Sequence, residues 1–100
     1  MVKHIVLWKL KEEAGGRSKK ENAGELKKRL EDLKGKIPEI VELEVGLSFE
    51  VSETASDVSL YSSFKTREDL GRYQKHPDHQ KVVEFVRGIV SERRVVDYEE

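Results

Sequence analysis

Residues 2–10, Val2-Lys3-His4-Ile5-Val6-Leu7-Trp8-Lys9-Leu10, constrain the fold more than any other stretch. The run is rich in β-branched and aromatic residues and reads as a strand. Successive side chains of a strand point to opposite faces. One face therefore carries Val2, His4, Val6, Trp8 and Leu10, and the other Lys3, Ile5, Leu7 and Lys9. The middle of the strand is apolar on both sides, so both faces of its sheet need cover. With 100 residues the chain makes one domain, spanning 1–100. Only 36% of the residues are hydrophobic, against 39% charged. A core built from this material is thin, since a chain of this size buries roughly 65% of its unfolded surface. An apolar face left over is commonly buried in an oligomer.

The remaining elements follow from pattern. Residues 11–17 hold Gly15-Gly16 and four charges and read as a flexible loop. Ser18 with Glu21 has capping-box spacing. The helix it opens is expected to reach about Lys34 and stop at Gly35 in a left-handed C-cap. Its apolar stripe is Ala23, Leu26, Leu30 and Leu33. After Pro38, residues 40–51 alternate apolar and polar and predict a half-buried strand. Residues 53–56 are turn-like, and 57–65 predict a third strand, with Val58, Leu60, Ser62 and Phe64 on one side. Thr66 with Asp69 opens a short helix that ends at His76, because the residue before Pro77 is pushed out of the helical region. Pro77 suits the first turn of a new helix, expected to reach about Val90. Residues 93–98 close the chain as a strand. The order β-α-β-β-α-α-β predicts an α+β, ferredoxin-like split βαβ fold with a four-stranded antiparallel sheet and its helices on one face. The bare apolar face of that sheet predicts a symmetric homodimer, sheet against sheet.

Three histidines are the candidates for chemistry. On the last helix, His79 lies within the arc of Val82, Val83, Val86, Ile89 and Val90, so it points into a core or a cavity. It also lies in the first turn, where the helix dipole disfavours the imidazolium. A neutral imidazole there can accept a proton as a general base. Tyr73 follows Leu70 by three residues and faces inward, where its hydroxyl needs a partner. Tyr73 and His79 together can polarise a carbonyl and abstract a nearby proton; alternatively they bond each other or the backbone and fill the core. His4 shares its face with Val6 and Trp8 and joins the same space if that face meets the helices. His76 precedes the proline, where it caps a helix or sits near the cavity mouth. Convergence of His4, His76 and His79 on a metal is conceivable, but the proline break falls inside His-x-x-His, and no metal site is expected.

Several function classes are excluded or disfavoured. Nineteen basic and twenty acidic residues leave a net charge of −1, against a dedicated nucleic-acid or membrane-surface binder. The absence of cysteine removes disulfides, thiolate metal sites and cysteine nucleophiles. No apolar run reaches a membrane span and no signal-peptide pattern opens the chain, so a cytoplasmic location is expected. No glycine-rich phosphate loop, nucleophile elbow or paired-carboxylate motif is present. The Lys19-Lys20 and Lys27-Lys28-Arg29 clusters are offset by glutamates and read as a solvated helix face.

Residues 2–11, 33–40, 43–46, 73–83 and 94–99 together resemble, in order and over nearly the full length, the stress-responsive dimeric A/B-barrel (Dabb) family. The most specific element is His76-Pro77-Asp78-His79 with Tyr73 upstream. The resemblance implies a ferredoxin-like monomer and a dimer whose two sheets form an α/β barrel. It also implies a site without a cofactor. Many members have no assigned activity, and some plant members are linked to stress. One branch resembles polyketide cyclases, which close a ring by aldol condensation; there a Tyr and a His act in a cavity between helices and sheet, matching Tyr73 and His79, with His4 as the strand histidine. A relative of the dimeric-barrel monooxygenases is a second alternative that the resemblance leaves open. The expectation is a homodimer that binds a small apolar or aromatic molecule in that cavity. His76, Trp8, Val6, Leu26 and Leu30 are expected as ligand-contacting residues, and a cyclase-like enzyme with His79 as base is the alternative.

Overall fold

The computed structural model describes all residues, 1–100. Strand β1 (Val2–Leu10) leads to a short hairpin of β2 (Glu13–Ala14) and β3 (Arg17–Ser18). Helix α1 (Lys19–Asp32) follows, then β4 (Glu42–Leu47), β5 (Val58–Phe64), α2 (Arg67–Lys75), α3 (Pro77–Ile89) and β6 (Val90–Glu99). The four long strands form one antiparallel sheet in the order β4-β5-β1-β6. This is the ferredoxin-like α+β arrangement expected from the element order. No helix is long and apolar enough to cross a membrane.

Local signals place the helices. Ser18 and Glu21 close a complete capping box at the start of α1. The Thr66 hydroxyl accepts the Asp69 amide at 3.0 Å at the start of α2. Leu26, Leu30 and Leu33 of the α1 stripe are almost wholly buried. Each contributes roughly 1.5–3 kcal/mol by leaving water. In β1 the residues Val2, His4, Val6, Trp8 and Leu10 are buried beneath the helices, while Leu7 on the other face is 39% exposed.

Four local expectations are corrected. Residues 11–17 are not a plain loop: Glu13 pairs with Ser18 and Ala14 with Arg17, with Gly15 and Gly16 at φ 62° and 77° in the turn. Positive φ at both central residues matches the twist of a tight hairpin, which only glycine adopts without cost. Asn22, 2% exposed, ties this hairpin to α1 through the Ala14 carbonyl at 3.2 Å. Helix α1 does not end in a left-handed glycine. It tightens into a 3₁₀ turn, Leu33–Gly35, whose Leu33 carbonyl accepts the Lys36 and Ile37 amides and leads Ile37 into the core. Strand β4 stops at Leu47, where its partner β5 begins at Val58, and Phe49 and Val51 are exposed. Strand β6 begins at Val90, three residues earlier than expected, because β1 offers it a partner along its whole length.

Candidate functional site

The break between α2 and α3 builds the site. His76 is held extended at ψ 135° before Pro77, so the two helices meet at a corner. The corner brings the first turn of α3 over Tyr73 of α2. The Tyr73 and His79 rings lie 4.3 Å apart, and Tyr73 also meets Phe64 at 5.0 Å and His4 at 6.2 Å between ring centroids. Beside this aromatic cluster lies a cavity of about 260 Å3 between helices and sheet. Its floor is His4, Val6 and Trp8 of β1 with Leu60 of β5. Its walls are Leu30 of α1, Tyr73 of α2, and His79, Val82, Val83 and Val86 of α3. Arg87, Val90 and Arg93 complete the lining. A second hollow, of about 340 Å3, lies between Val2, Leu70 and the end of β6, but its Arg67 and Glu99 pair with each other. It holds no unpartnered buried group, which makes the smaller cavity the candidate site.

The buried polar groups of this cavity are unusual. The Tyr73 hydroxyl and the Trp8 Nε1–H are both buried, and neither has a hydrogen-bond partner. Such groups in native interiors are rare and call for an explanation. Burial pushes the Tyr73 phenol well above its ordinary pKa, and the Arg93 guanidinium acts against this. The His79 Nδ1 lies 3.1 Å from the Gln74 carbonyl. A carbonyl only accepts, so Nδ1 carries the proton, and the neutral ring keeps its lone pair on Nε2. Burial holds His79 below its ordinary pKa; the Gln74 carbonyl opposes this, and the charges of His4, Arg93 and His76 reinforce it. The ring is therefore neutral at pH 7. His4 gives Nδ1 to the Asp97 carboxylate, its register partner across β1 and β6. By the same logic its free nitrogen is Nε2.

Not every expected contact residue reaches the cavity. His4, Val6, Trp8, Leu30, Tyr73 and His79 line it. Leu26 does not: it is fully buried in the core, a turn nearer the hairpin that Asn22 secures. His76 does not either. Its Nδ1 accepts the Asp78 amide at 3.1 Å and caps α3. Sequence reasoning missed Leu60, Arg87 and Arg93, which reach the site from two strands and a helix end that only the assembled sheet brings near. The three histidines do not form a metal-ligand cluster.

A four-stranded ferredoxin-like sheet with a small apolar cavity under its broken helix defines the class of protein. The model of the family described as the stress responsive A/B barrel domain matches residues 2–100. The chain belongs to that family. A dimeric protein of unknown function with a ferredoxin-like fold from Bacteroides fragilis is 34% identical, over 99% of this chain and 95% of that one, with a TM-score of 0.88. A dimeric ferredoxin-like protein of unknown function from Thermobifida fusca is 18% identical (TM-score 0.83, 99% and 90% covered). The hydroxynitrile lyase of Passiflora edulis is 20% identical (TM-score 0.78, 97% and 90% covered). At these last two identities the likeness is one of fold alone. A search of curated protein sequences finds no match.

Proposed function

We propose that the chain works as a homodimer that binds a small apolar or aromatic molecule in the cavity between helices and sheet. The observation that carries this is the pair of buried, unpartnered donors, Tyr73 O–H and Trp8 Nε1–H, on two residues that line one largely apolar cavity. Each unpaired group costs about 1–3 kcal/mol, a cost that a ligand acceptor removes. A volume of about 260 Å3 lies just below the range of drug-sized pockets. An empty apolar cavity of about 150 Å3 takes benzene, so the ligand is one ring, or an aliphatic body of similar size, with short substituents. Titration with small aromatic molecules should change the emission of Trp8, the one tryptophan of the chain, in a saturable way. No response to any of them at millimolar concentration would overturn the binding role.

Two observations support the dimer. The outer sheet face presents Leu7, Val96 and Tyr98, each 39–52% exposed, beside Ile5. The relative at 34% identity is itself described as dimeric. Sedimentation should give a dimer at micromolar concentration, and a monomer there would refute it.

The tautomer of His79 favours a second reading, cofactor-independent proton abstraction of the cyclase kind. His79 Nε2 would take a proton from carbon next to a carbonyl, and Tyr73 O–H would hold the resulting enolate oxygen. The enolate carbon would then add to a second carbonyl of the same ligand, and the proton would return to the new alkoxide. His79→Ala should abolish turnover while the dimer persists; turnover at the wild-type rate would remove His79 as base.

A further inference from the structure

We propose that the cavity selects a ligand bearing one carboxylate, and that Arg93 is the residue that recognises it; this rests on the cavity being a ligand site. Three observations point the same way. First, β6 directs Arg93, Asp97 and Glu99 to the helix side, opposite Trp8, His4 and Val2. Asp97 is taken by His4 and Glu99 by Arg67. Arg93 has no ion pair and donates no side-chain hydrogen bond. Second, Arg29, Arg67, Arg72, Arg87 and Arg94 each hold a glutamate or aspartate. The other unpaired arginine, Arg17, lies in the hairpin, away from the cavity. Arg93 is thus the one uncommitted cation on the cavity wall. Third, no Asp or Glu lines the cavity, and its charged groups, Arg87 and Arg93, are both positive. Tyr73 and Trp8 add unpartnered donors, and no group of the lining carries negative charge.

The chemistry favours a monocarboxylate. A guanidinium offers two parallel N–H groups that match a carboxylate edge. The second arginine is spent on Glu84, so one uncommitted positive charge faces the cavity, and a dianion such as a phosphate monoester would be left under-neutralised. The apolar remainder of the ligand lies against the valines of α3, and its carboxylate lies at the Arg93 end.

The test uses two molecules of one shape, 3-phenylpropanoate and 3-phenylpropan-1-ol, titrated by calorimetry with Trp8 emission as a second readout. Wild type should bind the acid about tenfold more tightly than the alcohol, the increment of one partly solvated charged hydrogen-bond pair. Arg93→Gln should erase the preference by weakening the acid alone, and Arg93→Lys should keep part of it. Arg93 is exposed and unpaired, so both variants should unfold at a temperature close to wild type. Equal affinities in wild type, or an unchanged preference in Arg93→Gln, would overturn the role of Arg93 while leaving the cavity as a site. Binding of neither molecule would overturn the cavity as a site, and this inference with it.

Discussion

Removing one oxygen atom from Tyr73 should make the protein more stable and worse at its task. Tyr73→Phe keeps the ring and its contacts with His79, Phe64 and His4. It deletes a buried hydroxyl that has no partner in the protein. An unsatisfied buried hydroxyl costs about 1–3 kcal/mol. The low end is taken for a single neutral hydroxyl. A gain of about 1 kcal/mol raises the midpoint of a domain this size by about 4–8 °C. The assay is thermal unfolding without ligand, at fixed protein concentration because a dimer's midpoint depends on it. The same variant should bind a carbonyl- or carboxylate-bearing aromatic about fivefold more weakly, the loss of one neutral hydrogen bond. A midpoint lowered by several degrees would refute the reasoning. It would mean that the hydroxyl is bonded within the protein, to His79 Nε2 or another acceptor, and is not held free for a ligand.

Other perturbations separate the roles of neighbouring residues. His79 is held neutral, with a folded pKa below its unfolded value of about 6.5, so the unfolded chain takes up the proton first. Its contribution is therefore at its full value above about pH 6.5, falls as pH drops below that value, and levels off below the folded pKa; the thermal midpoint of His79→Gln should fall less steeply from pH 7 to 5 than that of wild type. His76→Ala should cost about 1 kcal/mol through loss of the α3 cap, and leave ligand affinity unchanged, since His76 does not line the cavity. A large loss of affinity would show instead that the α2–α3 corner depends on the cap. Leu7→Glu puts a charge in the middle of the exposed sheet face and should turn the dimer into a monomer in sedimentation. A dimer that persists would place the interface elsewhere.

Much of the fold was legible because its signals are local. Two-sided apolarity in β1, side-chain caps at Ser18 and Thr66, and the restriction that Pro77 imposes on His76 each act within a few residues. The same is true of the inward direction of Tyr73 and His79, which helical spacing sets once the helix start is known. Where an element ends was less legible. Residues 40–51 alternate throughout, but a strand lasts only as long as its neighbour does, and β5 is available to β4 from Val58 onward. Gly35 has the composition of a left-handed cap, yet burial of Ile37 and a 3₁₀ closure decide the turn.

The chemistry of the site divides along the same line. By itself the sequence indicated that Tyr73 and His79 would point inward on either side of Pro77, and that His4 and Trp8 would join them if their face of the strand met the helices. It contained no sign that Arg93, 85 positions from Trp8 in the chain, would be its cross-strand partner. Nor did it reveal that Asp97 and Glu99 would be consumed by His4 and Arg67 while Arg93 was left free. Leu26 and Leu30 look alike on the α1 stripe, and only the packing puts one in the core and the other in the wall. Local propensity acts between residues close in sequence, whereas strand register, vacant space and uncommitted charge arise only when distant segments meet. The tertiary structure alone therefore decided that a cavity lies under the helices, beside two residues whose buried donors have no partner.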